Sequence, residues 1–348
     1  MVIDEKYMRR ALQLAALSPY TTHPNPMVGA VIVARDRIIG EGWHRRCGEA
    51  HAEVNAVAAV SEADRYLLRE ATIYVTLEPC SHYGKTPPCS KLIIDSGLPR
   101  VVVGAVDPFG KVAGRGIAML REAGIEVVVG VLAEETRRLN RRFFTAHTLR
   151  RPFITLKWAQ SVDGFMDADR LTTPGGAPFR FSTPLSSLLT HRERASVDAI
   201  VSTVSTVEAD NARLDTRLWA GPSPRRVIVD THIDPNALMH KLYSQGVTSV
   251  LVEAGPRFMQ SMIDADLWDD VRIETSPVVL GSKGRHRAPS LLMRPDYTDR
   301  IVSMVSPFHT SLTDTSSMDS VTSSLFSTSA SVAGKNTLRV ISKPIAFR

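Results

Sequence analysis

The stretch "ATIYVTLEPCSHYGKTPPCSKLIIDSG", residues 71–97, decides the reading of this chain. It opens on β-branched and aromatic residues, the composition of a strand. It closes on "PPCSKLIIDSG", a helix with proline at its entry and Gly97 as its stop. Two of the chain's 3 cysteines lie in the connection, Cys80 at the strand's end and Cys89 at the helix's start. Upstream, "HAEVNAV" (51–57) begins a second helix with His51 and Glu53 two residues apart. A His, a Glu and two Cys therefore gather where strands hand over to helices.

Working outward, residues 5–17 read as a helix with Met8, Leu12, Ala15 and Ala16 at helical spacing. "MVGAVIVARDRIIGEGWH" (27–44) reads as a β-hairpin turning at Arg35-Asp36-Arg37. A helix is expected from His51 to about Leu68, then the strand and helix of 71–97, strand 100–107, helix 114–124 and strand 125–131. The order ββαβαβαβ predicts a mostly parallel sheet covered on both faces. "AEETRRLNRRFFTAH" (133–147) reads as one connecting helix, and a boundary falls within 146–152. A second α/β domain then opens at "PFITLKWAQSVDG" (152–164). Its helix "STPLSSLLTHRERASVD" (182–198) is capped by Ser182 or Thr183. Further strands are expected at "AIVST", "RVIVD", "TSVLVEAG" and "VRIETSPVVLG", to about residue 293. Half of residues 301–330 are Ser or Thr, so 295–348 is expected to be a loose tail.

With 348 residues the chain is too long for one ordinary core. At 43% apolar and 22% charged it has the composition of a globular enzyme. Nothing is apolar enough to span a bilayer, and the N-terminus lacks a signal peptide's core, so no membrane partner is expected. Three cysteines form no disulfide framework, which suits a reducing cytoplasm. The net charge of +6 is spread along the chain, without the concentrated basic, aromatic patch that nucleic acid requires.

Zinc takes His nitrogen and Cys thiolate in tetrahedral sites, and a catalytic zinc keeps three protein ligands and a water. His51, Cys80 and Cys89 are that set, and helix N-termini favour thiolates. Glu53 can take the water's proton and return it to a leaving amine. H-x-E followed by P-C…C is the zinc-deaminase pattern. A structural zinc would want a fourth ligand, with Cys47 and His82 as candidates; Cys47 is otherwise read as pocket wall. Eight residues separate Cys80 from Cys89, where nucleobase deaminases have two. The insert "SHYGKTPP" holds Lys85, a cation for an anionic substrate group. Two competing readings are a nucleic-acid base deaminase, against which the long insert and second domain argue, and a zinc-stabilised binding module without turnover.

The first half resembles the deaminase domain of the bifunctional riboflavin-biosynthesis deaminase/reductases. The resemblance rests on "TTHPNPMVGAVIV" (21–33), "GEGWH" (40–44), "GEAHAEVNA" (48–56), "TLEPCSHYGKTPPCSK" (76–91) and "DPFGKVAGRGI" (107–117). It implies a cytidine-deaminase-like α/β domain over 1–146. It also implies zinc on His51, Cys80 and Cys89, Glu53 as proton donor and acceptor, and Asn25 hydrogen-bonding the pyrimidine. "RPFITLKWAQSVDG" (151–164), "STVEAD" (205–210) and "LVEAGP" (251–256) resemble the reductase domain of the same enzymes. That implies a dihydrofolate-reductase-like α/β domain over 152–293. NADPH contacts are implied at Ala159, Thr206, Asp210, Gly255, Pro256, Arg257, Phe258, Met259, Gln260 and Ser261. Substrate contacts are implied at Arg194, Leu214, Arg217 and Glu253, with the two arginines as a clamp on ribose phosphate. Gly255 has its own reading: a strand followed by a helix N-terminus suits a phosphate. About twenty residues separate "RVIVD" from "TSVLVEAG", fewer than the family has. This predicts a shortened reductase sheet, with the tail in place of its closing strands, and keeps a monofunctional deaminase with a vestigial second domain in view. The implied substrate is a small phosphorylated pyrimidine, and the implied assembly is a homo-oligomer, dimer or tetramer.

Overall fold

The computed structural model describes residues 3–83, 87–109, 113–173, 176–303 and 336–344. The chain divides after Arg150 into two compact units.

In the first unit, α1 (Ile3–Ala15) precedes the hairpin β1 (Gly29–Ala34) and β2 (Arg37–Trp43). Arg35 and Asp36 both take left-handed φ, +50° and +57°. Such a two-residue turn matches the strands' twist. α2 (Ala52–Ala58), β3 (Thr72–Leu77), α3 (Cys89–Asp95), β4 (Arg100–Ala105), α4 (Arg115–Glu122) and β5 (Glu126–Val129) follow. The helix expected to Leu68 stops ten residues early. The chain extends at Ser61 and continues as a 3-10 helix over Glu62–Glu70, which buries Leu67 and Leu68. The sheet order is β2-β1-β3-β4-β5. It is mostly parallel, as expected, with β1 as the one opposed strand. The short hairpin reverses the chain, so β1 runs antiparallel to both β2 and β3, while β2, β3, β4 and β5 all point the same way.

Both faces are covered. α1 packs Tyr7, Met8, Ala11 and Leu14 on Val31, Val33 and Tyr74. α2 and α3 pack Ala52, Ala56 and Ile93 on Ala30, Ile32, Ile73 and Val103. Each fully buried aliphatic side chain contributes about 1.5–3 kcal/mol. α2 lies unusually close because β2 offers it glycine: a Cβ on Gly42 would sit 2.3 Å from the Ala56 nitrogen. The helix carrying His51 and Glu53 is thereby drawn onto the sheet.

The connecting helix is two helices, α5 (Ala133–Leu139) and α6 (Arg141–Leu149), broken at Asn140. The Asn140 side chain accepts from Met27 N–H and donates to Met27 C=O, both at 2.8 Å. That polar demand outweighs helix continuity and ties the "HPNPM" loop to the α5–α6 corner.

In the second unit, β6 (Phe153–Ser161), β7 (Phe165–Ala168), α7 (Pro184–Arg194), β8 (Ala199–Thr203), α8 (Val204–Asp210) and β9 (Arg225–Val229) come first. α9 (Pro235–Ser244), β10 (Ser249–Val252), α10 (Pro256–Asp264), β11 (Asp270–Ser276), β12 (Gly284–Arg287), β13 (Thr298–Ser303) and β14 (Thr337–Ser342) complete it. Thr183 caps α7 through Ser186 N–H. The main sheet has seven strands in the order β13-β14-β11-β6-β10-β8-β9. The five from β11 to β9 are mutually parallel. β7 and β12 form a separate ribbon. The short β9–β10 connection still accommodates a full helix, α9. The loose tail expected from 295 is corrected at both ends: β14 pairs antiparallel with β11, and β13 with β14. Closing strands therefore exist, because burial of Ile341 and the ladder to β11 outweigh the polar composition around them.

Candidate active site

In the first unit, β3 and β4 end side by side, and their continuations carry Glu78–Cys80 and Asp107. In open α/β sheets this carboxyl end is where ligands bind. His51 stands at the N-cap of α2, Glu53 in its first turn, and Cys89 is the first residue of α3. His51 Nδ1 lies 3.7 Å from Cys80 Sγ and 3.3 Å from Cys89 Sγ. Among the described residues these three ligand atoms form a group within 4.8 Å of one another. Tetrahedral zinc separates nitrogen and sulfur ligands by about 3.6 Å, so the donor set fits the metal in kind and spacing.

The electrostatics suit that use. A hydrogen bond with Cys89 and another with His51 draw Cys80 down to about 4, and the Cys89 N–H adds a third at 3.3 Å. Cys89, hydrogen-bonded to that thiolate and buried, is pushed up instead. The bond to Cys80 raises His51. Glu53 is 3% exposed, and burial lifts its carboxyl to about 6.

A cavity of about 390 Å³ opens on this cluster. Asn25, His51, Glu53 and Cys80 all line it, and Cys89 completes the cluster from beneath, buried. Lys85 lies outside the described residues. Cys47 is exposed and is not among the lining residues, so the pocket-wall reading is corrected: the hairpin's exit leaves it at the surface.

Other wall residues escaped the sequence reading. His44, from "GEGWH", lies with its ring centroid 5.5 Å from that of His51, and burial lowers it. Asp107 is 8% exposed, and burial raises it to about 6. Phe109 and Phe143 flank His147 edge-on, with centroids 5.1 and 4.4 Å away. Glu78, buried, accepts backbone N–H groups from Gly114 and Gly116 at 2.9 Å and from Asp107 and Ile117 at 3.3 Å. Glu78 thus fastens the segment carrying Asp107 and Phe109 to the strand that delivers Cys80. "LEPC" and "DPFG" were visible in sequence, but the contact between them was not.

The second unit holds a cavity of about 590 Å³ over the ends of β8 and β10. Thr206, Asp210, Gly255, Pro256, Arg257 and Phe258 line it. Thr206 Oγ1 accepts the Gly255 N–H at 3.0 Å, joining the β8–α8 and β10–α10 turns. Asp210 is paired with Arg170, a lining residue that the sequence reading did not single out. Ala159, Met259, Gln260 and Ser261 do not line the cavity. Met259 is fully buried core on the inner face of α10, and Ser261 bonds back to the Phe258 carbonyl. Leu214, 3% exposed, packs with Val197, Ile200 and Leu251. Arg194 closes its fork on Glu253 at 2.9 and 2.7 Å and reaches the Asp215 carbonyl at 3.1 Å, and Arg217 pairs with Asp215. The two arginines meet around Asp215, with the Arg194 fork engaged by protein.

A His/Cys/Cys cluster fit for zinc beside a buried glutamate makes one α/β unit the site of a metal-dependent deaminase, and it is joined to a second, mostly parallel sheet with a cavity at its strand ends. Comparison bears this out. The family model for the cytidine and deoxycytidylate deaminase zinc-binding region matches residues 1–105, and that for the RibD C-terminal domain matches 152–237 and 231–297. The riboflavin biosynthesis protein RibD of Aquifex aeolicus (strain VF5) is 36% identical over 323 residues, 80% of this chain and 88% of the relative. That of Escherichia coli (strain K12) is 34% identical over 339 residues, 81% and 90%. The crystal structure of a deaminase/reductase from Thermotoga maritima superposes with TM-score 0.78 at 29% identity, covering 98% of this chain and 99% of that one. Acinetobacter baumannii RibD superposes at 0.74 and 28%, with the same coverage. The chain belongs to the RibD family and is a bifunctional deaminase/reductase of riboflavin biosynthesis, using zinc and NADPH. No helix among the described residues is long and apolar enough to cross a membrane.

Proposed function

We propose that the first unit hydrolyses the exocyclic amine of a diaminopyrimidinone ribosylamine phosphate, and that the second reduces the ribosyl group of the product to ribityl. The observation that carries this is the ligand group of His51, Cys80 and Cys89 beside a buried Glu53. Zinc, when bound there, supplies a Lewis acid that makes water nucleophilic near neutral pH. His51 Nδ1 and the two sulfurs would hold it. Glu53, with a carboxyl near 6, can accept a proton from the attacking water and release it to the departing amine. Asn25 orients the pyrimidine, and the aromatic wall around His147 keeps water from the ring's face. In the second unit the cofactor carries the hydride, and the protein's part is placement. The Thr206–Gly255 corner and the opening of α10 would hold its phosphates; Arg194, Arg217 and Glu253 do not line that cavity, and on the resemblance they would face the ribosyl end.

The test is Glu53→Ala. Metal content should stay at one zinc per chain while ammonia release falls about 10²–10⁴-fold. Retained release would remove Glu53 from the chemistry. Steady NADPH oxidation with the deaminated pyrimidine confirms the second unit. Its absence, with ammonia release intact, would leave a monofunctional deaminase. From the resemblance we further propose a homo-oligomer, dimer or tetramer, which sedimentation velocity reads directly, and from the three cysteines a cytoplasmic location.

A further inference from the structure

His44 is 3% exposed and held at both ring nitrogens. Nδ1 lies 3.1 Å from the Ala50 carbonyl oxygen, and Nε2 lies 3.2 Å from Asn25 Nδ2. A carbonyl oxygen only accepts, so Nδ1 carries the proton. The atom facing Nε2 is the Asn25 amide nitrogen, which only donates, so Nε2 accepts. The Asn25 side chain must turn its NH₂ toward His44. Its amide oxygen consequently points away from His44, and Asn25 lines the cavity together with His51 and Glu53. The backbone that carries Asn25 is fixed on both sides: its N–H is bonded to the Thr22 carbonyl at 2.8 Å, and Met27, two residues on, is clamped by Asn140.

We infer that His44 is a positioning residue that holds Asn25 with its carbonyl oxygen toward the cavity, so that the site selects pyrimidines presenting an N–H donor on that edge. The opposite amide orientation would select a carbonyl or an unprotonated ring nitrogen. The inference rests on the deaminase reading above and adds the polarity of base recognition to it. His44 also lines the cavity and stands edge-on to His51, so coupling to Asn25 is what marks the positioning role.

A double-mutant cycle on the zinc-loaded full chain tests it. His44→Phe, Asn25→Ala and the double variant are assayed for zinc content and for the kcat and KM of ammonia release. Each single variant should keep its zinc and raise KM about tenfold, the worth of one hydrogen bond. The double variant should be no worse than Asn25→Ala, because one interaction has been removed twice. His44→Gln, which can offer Asn25 an acceptor, should recover part of the loss. Multiplied effects in the double variant, or a silent His44→Phe beside an impaired Asn25→Ala, would overturn the role. Ring ¹⁵N NMR of the parent protein needs no variant. An Nδ1–H tautomer is expected, and an Nε2–H tautomer overturns the inference. A parent protein that released no ammonia would sink the deaminase reading first; normal release with a multiplicative cycle would sink only His44.

Discussion

Replacing Glu78 by leucine should loosen the deaminase wall without touching a metal ligand. Its carboxylate receives four backbone N–H groups, two of them, from Gly114 and Gly116, at 2.9 Å. Leucine has similar bulk and no acceptor. Water cannot readily replace the carboxylate, since Gly116 packs so closely that a Cβ there would lie 1.9 Å from the Pro79 oxygen. Two good donors left buried and unpaired cost about 1–3 kcal/mol each, so about 4 kcal/mol is expected. Amide hydrogen exchange measures it at the site: 4 kcal/mol corresponds to a loss of protection of about a thousandfold at Gly114 and Gly116. Glu78→Gln keeps one accepting oxygen and should fall between. The KM for ammonia release should rise in both variants, since Asp107 and Phe109 belong to the released segment. Protection at Gly114 and Gly116 within a few-fold of the parent in Glu78→Leu would refute the latch.

Gly42→Ala should destabilise the first unit by about 3 kcal/mol or more, because its Cβ would meet the α2 backbone and nothing flexible can yield; urea unfolding checks this. Arg194→Ala strands the buried Glu253 charge, so the second unit should lose about 3–5 kcal/mol while ammonia release continues, read by thermal melting beside activity. The Asp4 carboxyl is held below its usual value, first by the hydrogen bond from Arg100. A lowered carboxyl stabilises the fold above its unfolded pKa and loses that contribution as pH falls through the folded value. The stability gap between the parent and Arg100→Ala should therefore be present at pH 6 and close as pH falls below about 4; a gap that widened in acid would contradict the pairing.

The sequence alone determined the chemistry of the first unit. Zinc restricts its ligands to few residue types, and "HAE" with "EPC…PPC" places those types at helix starts, where local rules act. It also determined the hairpin, whose turn must adopt left-handed φ within two residues. Interactions without sequence proximity were decided by tertiary structure. β1 pairs with β3 rather than extending a parallel sheet because the hairpin reverses it. Asn140 breaks a helix to satisfy Met27, 113 positions away. β14 closes the reductase sheet beside β11 although a Ser/Thr-rich stretch precedes it. His44, Asp107 and His147 lie in three separate segments, and each is unremarkable alone. Only the fold lowers the solvent exposure around all three and aims them at one cavity. Met259 shows the converse: the α10 motif suggested a cofactor contact, and helix geometry turned that side chain into the core.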